Sequence, residues 1–167
     1  YKDGIVFSSN RKRNQWISQQ HDWTNKGFNY LYFSKQNDDK SFEKPESFSK
    51  EISTKYNDGP VSFTADGKEM YFTRNNIEDG KVLKSSDKTI KLKIFTSKIK
   101  EDGTIEEEVP FKYNSNEYNC AHPTLSADGN MLIFSSDMPG SIGGMDLWAC
   151  TKKNGEWAKP FNLSPTI

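Results

Sequence analysis

Cysteine and histidine side chains are the first candidates for chemistry in this sequence. Cys120, His122, Cys150 and His21 are of the types that bind zinc, and a thiol beside a histidine can act as a nucleophile. The spacing favours neither use, because there is no Cys-x-x-Cys pair and no third residue is placed to orient a Cys–His pair. We therefore predict no metal site and no catalytic nucleophile. The two cysteines are expected to be small buried residues or, in an oxidising compartment, a single disulfide.

Carboxylates are the second group that could do chemistry. Asp137 and Asp146 flank the glycine-rich segment 140–144, where oxygen ligands could hold calcium, but the spacing is not that of an EF-hand. Capping of turns and strands is the favoured interpretation. A glycosidase would need two convergent carboxylates, and the remaining ones stand in turns or in runs such as 106–108. The sequence predicts no catalytic residue, no cofactor and no enzymatic activity.

A basic and aromatic segment is the strongest candidate for binding a partner. It contains three cations and two tryptophans: Arg11, Lys12, Arg13, Trp16 and Trp23. Arginine and tryptophan are enriched where proteins bind one another, and cations stacked on aromatic rings suit an acidic or carbohydrate partner. The alternative is a solvated loop whose tryptophans pack over the edge of a sheet.

These residues must be positioned by a repeated element. The segment 61–73 reappears 62 residues later as 123–135, with matching Ala-Asp-Gly turns and a Phe at the end of each apolar run. A shorter copy opens the chain. Aspartate can bond its own backbone and glycine tolerates positive φ, so each copy predicts a hairpin turn. The turn residues are Asp3, Gly4, Asp66, Gly67, Asp128 and Gly129.

Each copy continues with the same order of strands. The runs 70–72 and 131–134 are continuously apolar, as expected of strands buried on both faces. A third strand and a weaker fourth strand with a proline follow, the latter fitting a sheet edge. We predict an all-β fold of about three β-propeller-type blades of four antiparallel strands, spanning 1–54, 55–115 and 116–167 within one propeller domain. The first blade lacks its innermost strand, so eleven strands are expected. Either the propeller is partial, or open blade edges close by self-association.

The repeat resembles the WD40-like β-propeller repeats of the TolB type. The element Pro123-Thr-Leu-Ser-Ala-Asp-Gly129 and the following Ile133-Phe-Ser-Ser-Asp137 carry the resemblance, which covers nearly the whole chain. The second copy departs from the pattern, with Thr64 in place of the serine and Arg74-Asn75 in place of Ser-Asp.

Finer features are the segments Phe72-Thr-Arg-Asn-Asn76 and Phe134-Ser-Ser-Asp137, the latter followed by Gly143-Gly-Met-Asp-Leu-Trp148. These segments resemble the propellers of OmpA-family envelope proteins of the Bacteroidetes, including the PorE-like proteins of type IX secretion. The resemblance implies a periplasmic or outer-membrane-associated module that binds other envelope proteins without catalysis. Peptidoglycan binding would require an OmpA-like domain that this sequence does not contain. A glycan-binding or glycosidase-type propeller is the alternative.

The composition also limits the kinds of partner that we expect this protein to bind. Lys plus Arg equals Asp plus Glu at 23 each, so the basic excess typical of nucleic-acid binding is missing. No apolar run approaches the ~20 residues that a membrane-spanning helix needs. The sequence starts at Tyr1 without a signal peptide, as expected of a mature or excised piece.

Overall fold

All regular secondary structure in the described part of the chain is β. The computed structural model describes residues 1–11, 27–49, 52, 57–78 and 80–164. Within these ranges there are fourteen strands and no helix, and therefore no helix with the length and apolar character to cross a membrane. The all-β prediction, with several antiparallel sheets, is confirmed.

The first sheet consists of three antiparallel strands. They are β1 (Gly4–Ser9), β2 (Tyr30–Lys35) and β3 (Glu46–Ser47), in the order β1-β2-β3. Phe7 and Tyr32 are direct cross-strand partners, and their rings stack with centroids 6.1 Å apart. Such aromatic pairs stabilise the pairing of two strands. Among the described residues this sheet has one strand fewer than the second.

The second sheet contains four strands in chain order. They are β4 (Asp58–Phe63), β5 (Glu69–Asn75), β8 (Leu92–Lys98) and β9 (Val109–Pro110), and between β5 and β8 the short strands β6 (Ile77–Glu78) and β7 (Lys81–Val82) form a separate hairpin. The proline of β9 lies on an outer strand, where a missing amide donor costs no ladder hydrogen bond.

The third sheet repeats this arrangement. Strands β10 (Cys120–Leu125), β11 (Met131–Ser136) and β12 (Asp146–Lys153) pair in sequence, and β12 also pairs with β13 (Glu156–Trp157) and β14 (Phe161–Asn162). The register of β10 on β11 shifts between Ala121 and Thr124, which marks a β-bulge. The three strands beyond the predicted eleven are the hairpin β6–β7 and β13.

A hydrophobic core lies between the second and third sheets. The second sheet contributes Tyr71 and Ile94, and the third contributes Leu132, Phe134 and Trp148, all of them buried. The Phe134 ring also meets the Phe111 ring edge-on, with centroids 5.5 Å apart. Offset and edge-on contacts add to the free energy gained from area burial. The chain divides into two compact units, 1–60 and 61–167, and this core belongs to the second.

The two central strands differ in how completely they are buried. In β5 every side chain from Met70 to Arg74 is buried, which agrees with the prediction for a continuous apolar run. In β11 the buried side chains alternate with partly or fully exposed ones, from exposed Met131 to buried Ser136. The reason is that β11 has the core on one face only among the described residues. The prediction that the run 131–134 is buried on both faces is therefore wrong.

The glycines of the turns serve two different purposes. Gly67 and Gly129 have φ values of +67° and +68°, the left-handed backbone that the Asp-Gly pattern predicts. Gly4 instead lies inside β1, and in the first copy the positive φ of 48° belongs to Lys2. A Cβ on Gly4 would overlap the Ser34 carbonyl oxygen and the Phe33 ring. Gly4 is therefore required for close approach of two strands.

Candidate functional site

The predicted partner-binding segment is described only at its first residue. The Arg11 guanidinium lies over the rings of Phe7 and Tyr32, at 5.0 and 5.1 Å from their centroids, and its Nε donates a hydrogen bond to the Ser9 hydroxyl. A cation held over two rings keeps a defined position while remaining exposed. Lys12, Arg13, Trp16 and Trp23 lie outside the described residues.

The carboxylates of the Asp-Gly turns are bonded within their own turns. Asp66 accepts hydrogen bonds from the Thr64 hydroxyl at 2.6 Å and from the Lys68 amide at 3.0 Å. Asp128 accepts the equivalent bonds from the Ser126 hydroxyl and the Asn130 amide. These bonds, led by those from the hydroxyl groups, lower the pKa of both carboxyls. The two aspartates therefore act as structural caps.

Three further aspartates have the same arrangement. Asp39, Asp87 and Asp102 each accept a hydrogen bond from the backbone amide of the Ser or Thr two residues later, at 2.9 Å. Hydrogen bonds to the carboxylate lower the pKa of all three groups, for Asp87 chiefly the bond from the Lys91 ammonium. The short sequence pattern Asp-x-Ser/Thr, which is typical of Asx turns, could have predicted the role of these three aspartates.

A shallow groove of about 340 Å³ lies between the Asp66 turn and the Asp128 turn. The Asp66 and Asp128 turns form its sides, and Lys152 also lines it. The Lys152 ammonium lies 3.8 Å from a Glu69 carboxylate oxygen and 5.3 Å from the centre of the Trp157 ring. Both aspartates are engaged in bonds within their own turns.

The cysteines have no reactive character. Cys120 and Cys150 are buried and unpaired with each other, and burial raises the pKa of each thiol to about 12. A thiol with such a pKa is protonated at neutral pH and is a poor nucleophile and metal ligand. His122 is exposed, with its Nδ1 3.0 Å from the Ser135 hydroxyl oxygen, while His21 lies outside the described residues. Among the residues that the structure describes, no three potential metal ligands cluster.

Asp137 and Asp146 hold loops in place. Asp137 accepts hydrogen bonds from the Asn119 amide and side chain at 2.5 and 3.0 Å. Asp146 accepts bonds from the Asn162 side chain at 2.8 Å and from the Ile142 amide at 2.6 Å, and these bonds lower its pKa. Both carboxylates are thus used in capping, the favoured interpretation of the sequence.

Two backbone amides of β10, one of them in the bulge, bond to the second sheet. The His122 amide donates to the Thr73 hydroxyl at 2.8 Å, and the Leu125 amide donates to the Ser62 hydroxyl at 3.0 Å. His122 has φ of +57°, which is uncommon for a residue with a side chain and costs backbone strain. The hydrogen bonds and the packed core offset that strain. No local sequence pattern predicts this contact between neighbouring sheets.

The face of the third sheet that points away from the core is apolar and incompletely covered. Ser135 pairs with Leu147 and Ile133 pairs with Ala149, which in turn pairs with Phe161, so these side chains share this outer face. Leu147 is 42% exposed and Phe161 is 49% exposed. Ala149, which lies beside both on this face, is fully buried, so the exposed apolar area consists of the Leu147 and Phe161 side chains. This outer face is the second candidate site, and the sequence analysis had missed it.

Comparison with known proteins adds no assignment. No family model matches the chain, and no curated protein matches it.

Proposed function

We propose that the sheets are blades of a β-propeller, as the resemblance to TolB-type repeats implies. Two observations support this proposal. The second and third sheets are copies of one sequence repeat with the same strand order, and the innermost strand of the third lies against the face of the second. Stacking of small twisted sheets face to face is how propellers bury their cores.

The function we propose is a non-catalytic binding or scaffold module in the cell envelope. It would act in OmpA-family, PorE-like assemblies at the periplasmic side of the outer membrane. The observation that carries the non-catalytic part is that the candidate carboxylates are already bonded to neighbouring groups. Asp66, Asp128, Asp137 and Asp146 all accept hydrogen bonds within turns and loops. A catalytic carboxylate needs freedom to exchange a proton with substrate.

The surface that we propose for partner binding begins at Arg11. Its guanidinium is exposed and held over Phe7 and Tyr32, so it offers a positioned positive charge beside aromatic rings. Residues of this type dominate the energetics of many interfaces. An acidic protein surface fits this chemistry, and a glycan is the competing ligand because sugars also bind beside aromatic rings.

The proposal is tested by capture of envelope proteins under crosslinking, with the intact chain as bait. The variant combines Arg11→Glu with Trp16→Ala and Trp23→Ala, and Lys81→Glu is the matched control because Lys81 is exposed on the separate β6–β7 hairpin. We expect specific proteins to be captured by the wild type and the control and lost by the variant. Binding on a glycan array without any captured protein would favour the lectin-like alternative. Turnover of glycoside or peptide substrates would contradict the proposal.

A further inference from the structure

The connection between β11 and β12, residues 137–145, presents an exposed apolar tip. Ile142 is 64% exposed, more than any other large hydrophobic residue that the structure describes, and Met145 is 45% exposed. Both residues belong to the connection and to neither strand. We propose that this tip, Ile142 and Met145, docks into an apolar pocket of a partner protein whose rim is basic. The inference rests on the proposed binding role and adds a second contact to that of Arg11.

Hydrogen bonds within the 137–145 loop hold its backbone in place. The Ser141 amide donates to the Met138 carbonyl at 3.0 Å, and the Ser141 hydroxyl donates to the Ser136 carbonyl at 3.0 Å. The Ile142 amide donates to the Asp146 carboxylate at 2.6 Å. A surface that is already ordered loses little conformational entropy on binding, so its buried side chains contribute more fully to affinity.

Asn162 and Trp148 fix the same loop to the third sheet. The Asn162 side-chain amide donates to the Gly140 carbonyl at 3.0 Å and to the Asp146 carboxylate at 2.8 Å. The Trp148 indole donates to the Ser141 hydroxyl at 3.2 Å, and a Cβ added to Gly140 would come within 3.2 Å of the Trp148 ring. The backbone of the loop therefore packs on the sheet while its tip stays exposed.

The charges beside the tip favour a partner with a basic rim. The segment 137–151 contains two aspartates and no lysine or arginine. Asp137 and Asp146 lie on either side of the tip, and the groups that donate to them are neutral: the side chains of Asn119 and Asn162 and two backbone amides. Opposite charges across an interface steer association and select the partner. Lys or Arg beside the apolar pocket would match these two carboxylates.

The same composition is unsuited to a lipid surface. Segments that bind anionic lipids carry Lys or Arg beside their apolar residues, and Trp and Tyr are enriched at membrane interfaces. Residues 137–146 contain no cation and no aromatic side chain. Two aliphatic side chains between carboxylates fit a bounded pocket in a protein.

The test introduces the photoreactive amino acid benzoylphenylalanine in place of Gly144 in the intact chain, which is then irradiated in envelope extract. A Cβ at this position meets nothing within 4 Å, and Ile142 keeps its native side chain. We expect a crosslink to another protein, in a peptide that holds both aliphatic and basic residues.

Competition by unmodified chains shows whether the crosslink depends on the tip. Excess wild-type chain and Ile142→Leu should suppress the crosslink at the same concentration. Ile142→Ser should need a roughly 10- to 100-fold higher concentration, because an aliphatic side chain is no longer buried. Val109→Ser, at a position 57% exposed on the outer strand of the second sheet, is the matched control and should compete like the wild type.

The ordered loop and the basic rim each have a separate measurement. Asn162→Ala keeps the tip but removes two hydrogen bonds that fix the loop, so it should compete roughly 3- to 10-fold less well than the wild type. Raising the salt concentration from about 0.05 to about 0.5 M should lower the yield of the crosslink several-fold, because it screens the charges at the rim.

Equal competition by Ile142→Ser and the wild type would overturn the proposal. So would the absence of any crosslinked protein, or a crosslink to a second copy of this chain. Flotation with vesicles of phosphatidylethanolamine and phosphatidylglycerol that is lost in Ile142→Ser would overturn it in favour of a lipid surface. Captured proteins that depend on Arg11, without a crosslink from position 144, would contradict this proposal alone. A crosslink from position 144 with capture unaffected by the Arg11 combination would contradict only the surface proposed at Arg11.

Discussion

The backbone amide of His122 donates a 2.8 Å hydrogen bond to the hydroxyl of Thr73, and this bond joins the third sheet to the second. His122 lies in the bulge of β10, where the ladder to β11 is interrupted, so the amide has no partner of the usual kind in its own sheet. The Thr73 hydroxyl, a side-chain group of the second repeat, thus accepts the hydrogen bond that a main-chain carbonyl of the third repeat would otherwise accept. This contact shows how one repeat recognises another.

Removing the Thr73 hydroxyl should leave that part-buried amide without an acceptor. We expect Thr73→Val to lower the free energy of unfolding by about 1–3 kcal/mol, measured by urea denaturation. Thr73→Ser keeps the hydroxyl and should recover most of the loss. A neutral Thr73→Val beside a destabilised Thr73→Ser would mean that the methyl group, and not the hydrogen bond, holds the two sheets together.

The central phenylalanines should dominate the stability of their sheets. Phe72 and Phe134 are fully buried, so replacing either by alanine should cost about 3–5 kcal/mol of unfolding free energy. Met131→Ala, on the exposed end of β11, is the control and should cost much less. Chemical denaturation midpoints within error of the wild type for both phenylalanine variants would be incompatible with the alignment of the repeats.

Gly4 should be intolerant of even one methyl group. An alanine Cβ would overlap the Ser34 carbonyl and the Phe33 ring, so we expect Gly4→Ala to cost about 1–3 kcal/mol in thermal or chemical unfolding. Gly144→Ala meets nothing within 4 Å and serves as the control, with an expected change within about 0.5 kcal/mol. An unchanged free energy of unfolding for Gly4→Ala would mean that β1 lies farther from β2 than described.

The capping aspartates should make stability depend on acid pH. Hydrogen bonds lower the pKa of Asp128 in the folded state, so the unfolded chain takes up protons first as the pH falls. The stabilisation is complete above the unfolded pKa of about 3.9 and is lost as the pH falls through the lower folded value. Asp128→Asn should therefore destabilise the protein more at pH 7 than at pH 3 in urea unfolding. Asp38→Asn, at an exposed position, is the control. A deficit for Asp128→Asn that is the same at both pH values would contradict the role of its charge.

The thiols should resist modification until the protein unfolds. Burial raises the pKa of Cys120 and Cys150 to about 12, so very little thiolate is present at pH 8. We expect an aromatic disulfide reagent to release colour slowly from native protein and rapidly from protein in denaturant, with two thiols counted. Fast reaction of native protein would show that the core between the sheets opens readily.

The repeat made much of the fold predictable from sequence. The Ala-Asp-Gly pattern with its apolar run is a local signal, and it located the turns at Gly67 and Gly129 and the strands β5 and β11 that follow them. The hairpin β6–β7 was missed because its strands are two residues long and carry no alternation of apolar residues. The role of Gly4 was misjudged because close approach of strands depends on tertiary contacts and leaves no local pattern.

The candidate sites were less accessible to sequence reasoning. Arg11 could be named as a basic residue beside tryptophans, but its packing on Phe7 and Tyr32 depends on the pairing of β1 with β2. The exposed outer face of the third sheet was not predicted, because the sequence of an apolar strand does not show whether a neighbouring sheet covers its residues. Only the register of β11 on β12 showed that Leu147 faces away from the core.

Hydrogen exchange at the His122 amide tests most directly whether the second and third sheets pack as successive copies of one repeat. The amide has no acceptor in its own sheet ladder, so its protection depends on the Thr73 hydroxyl and on the closed contact between the sheets. We predict exchange nearly as slow as that of the Phe134 amide in the central strand, and faster exchange in Thr73→Val. Exchange of the His122 amide at the rate of an exposed loop in the wild type would contradict the packing on which the account depends.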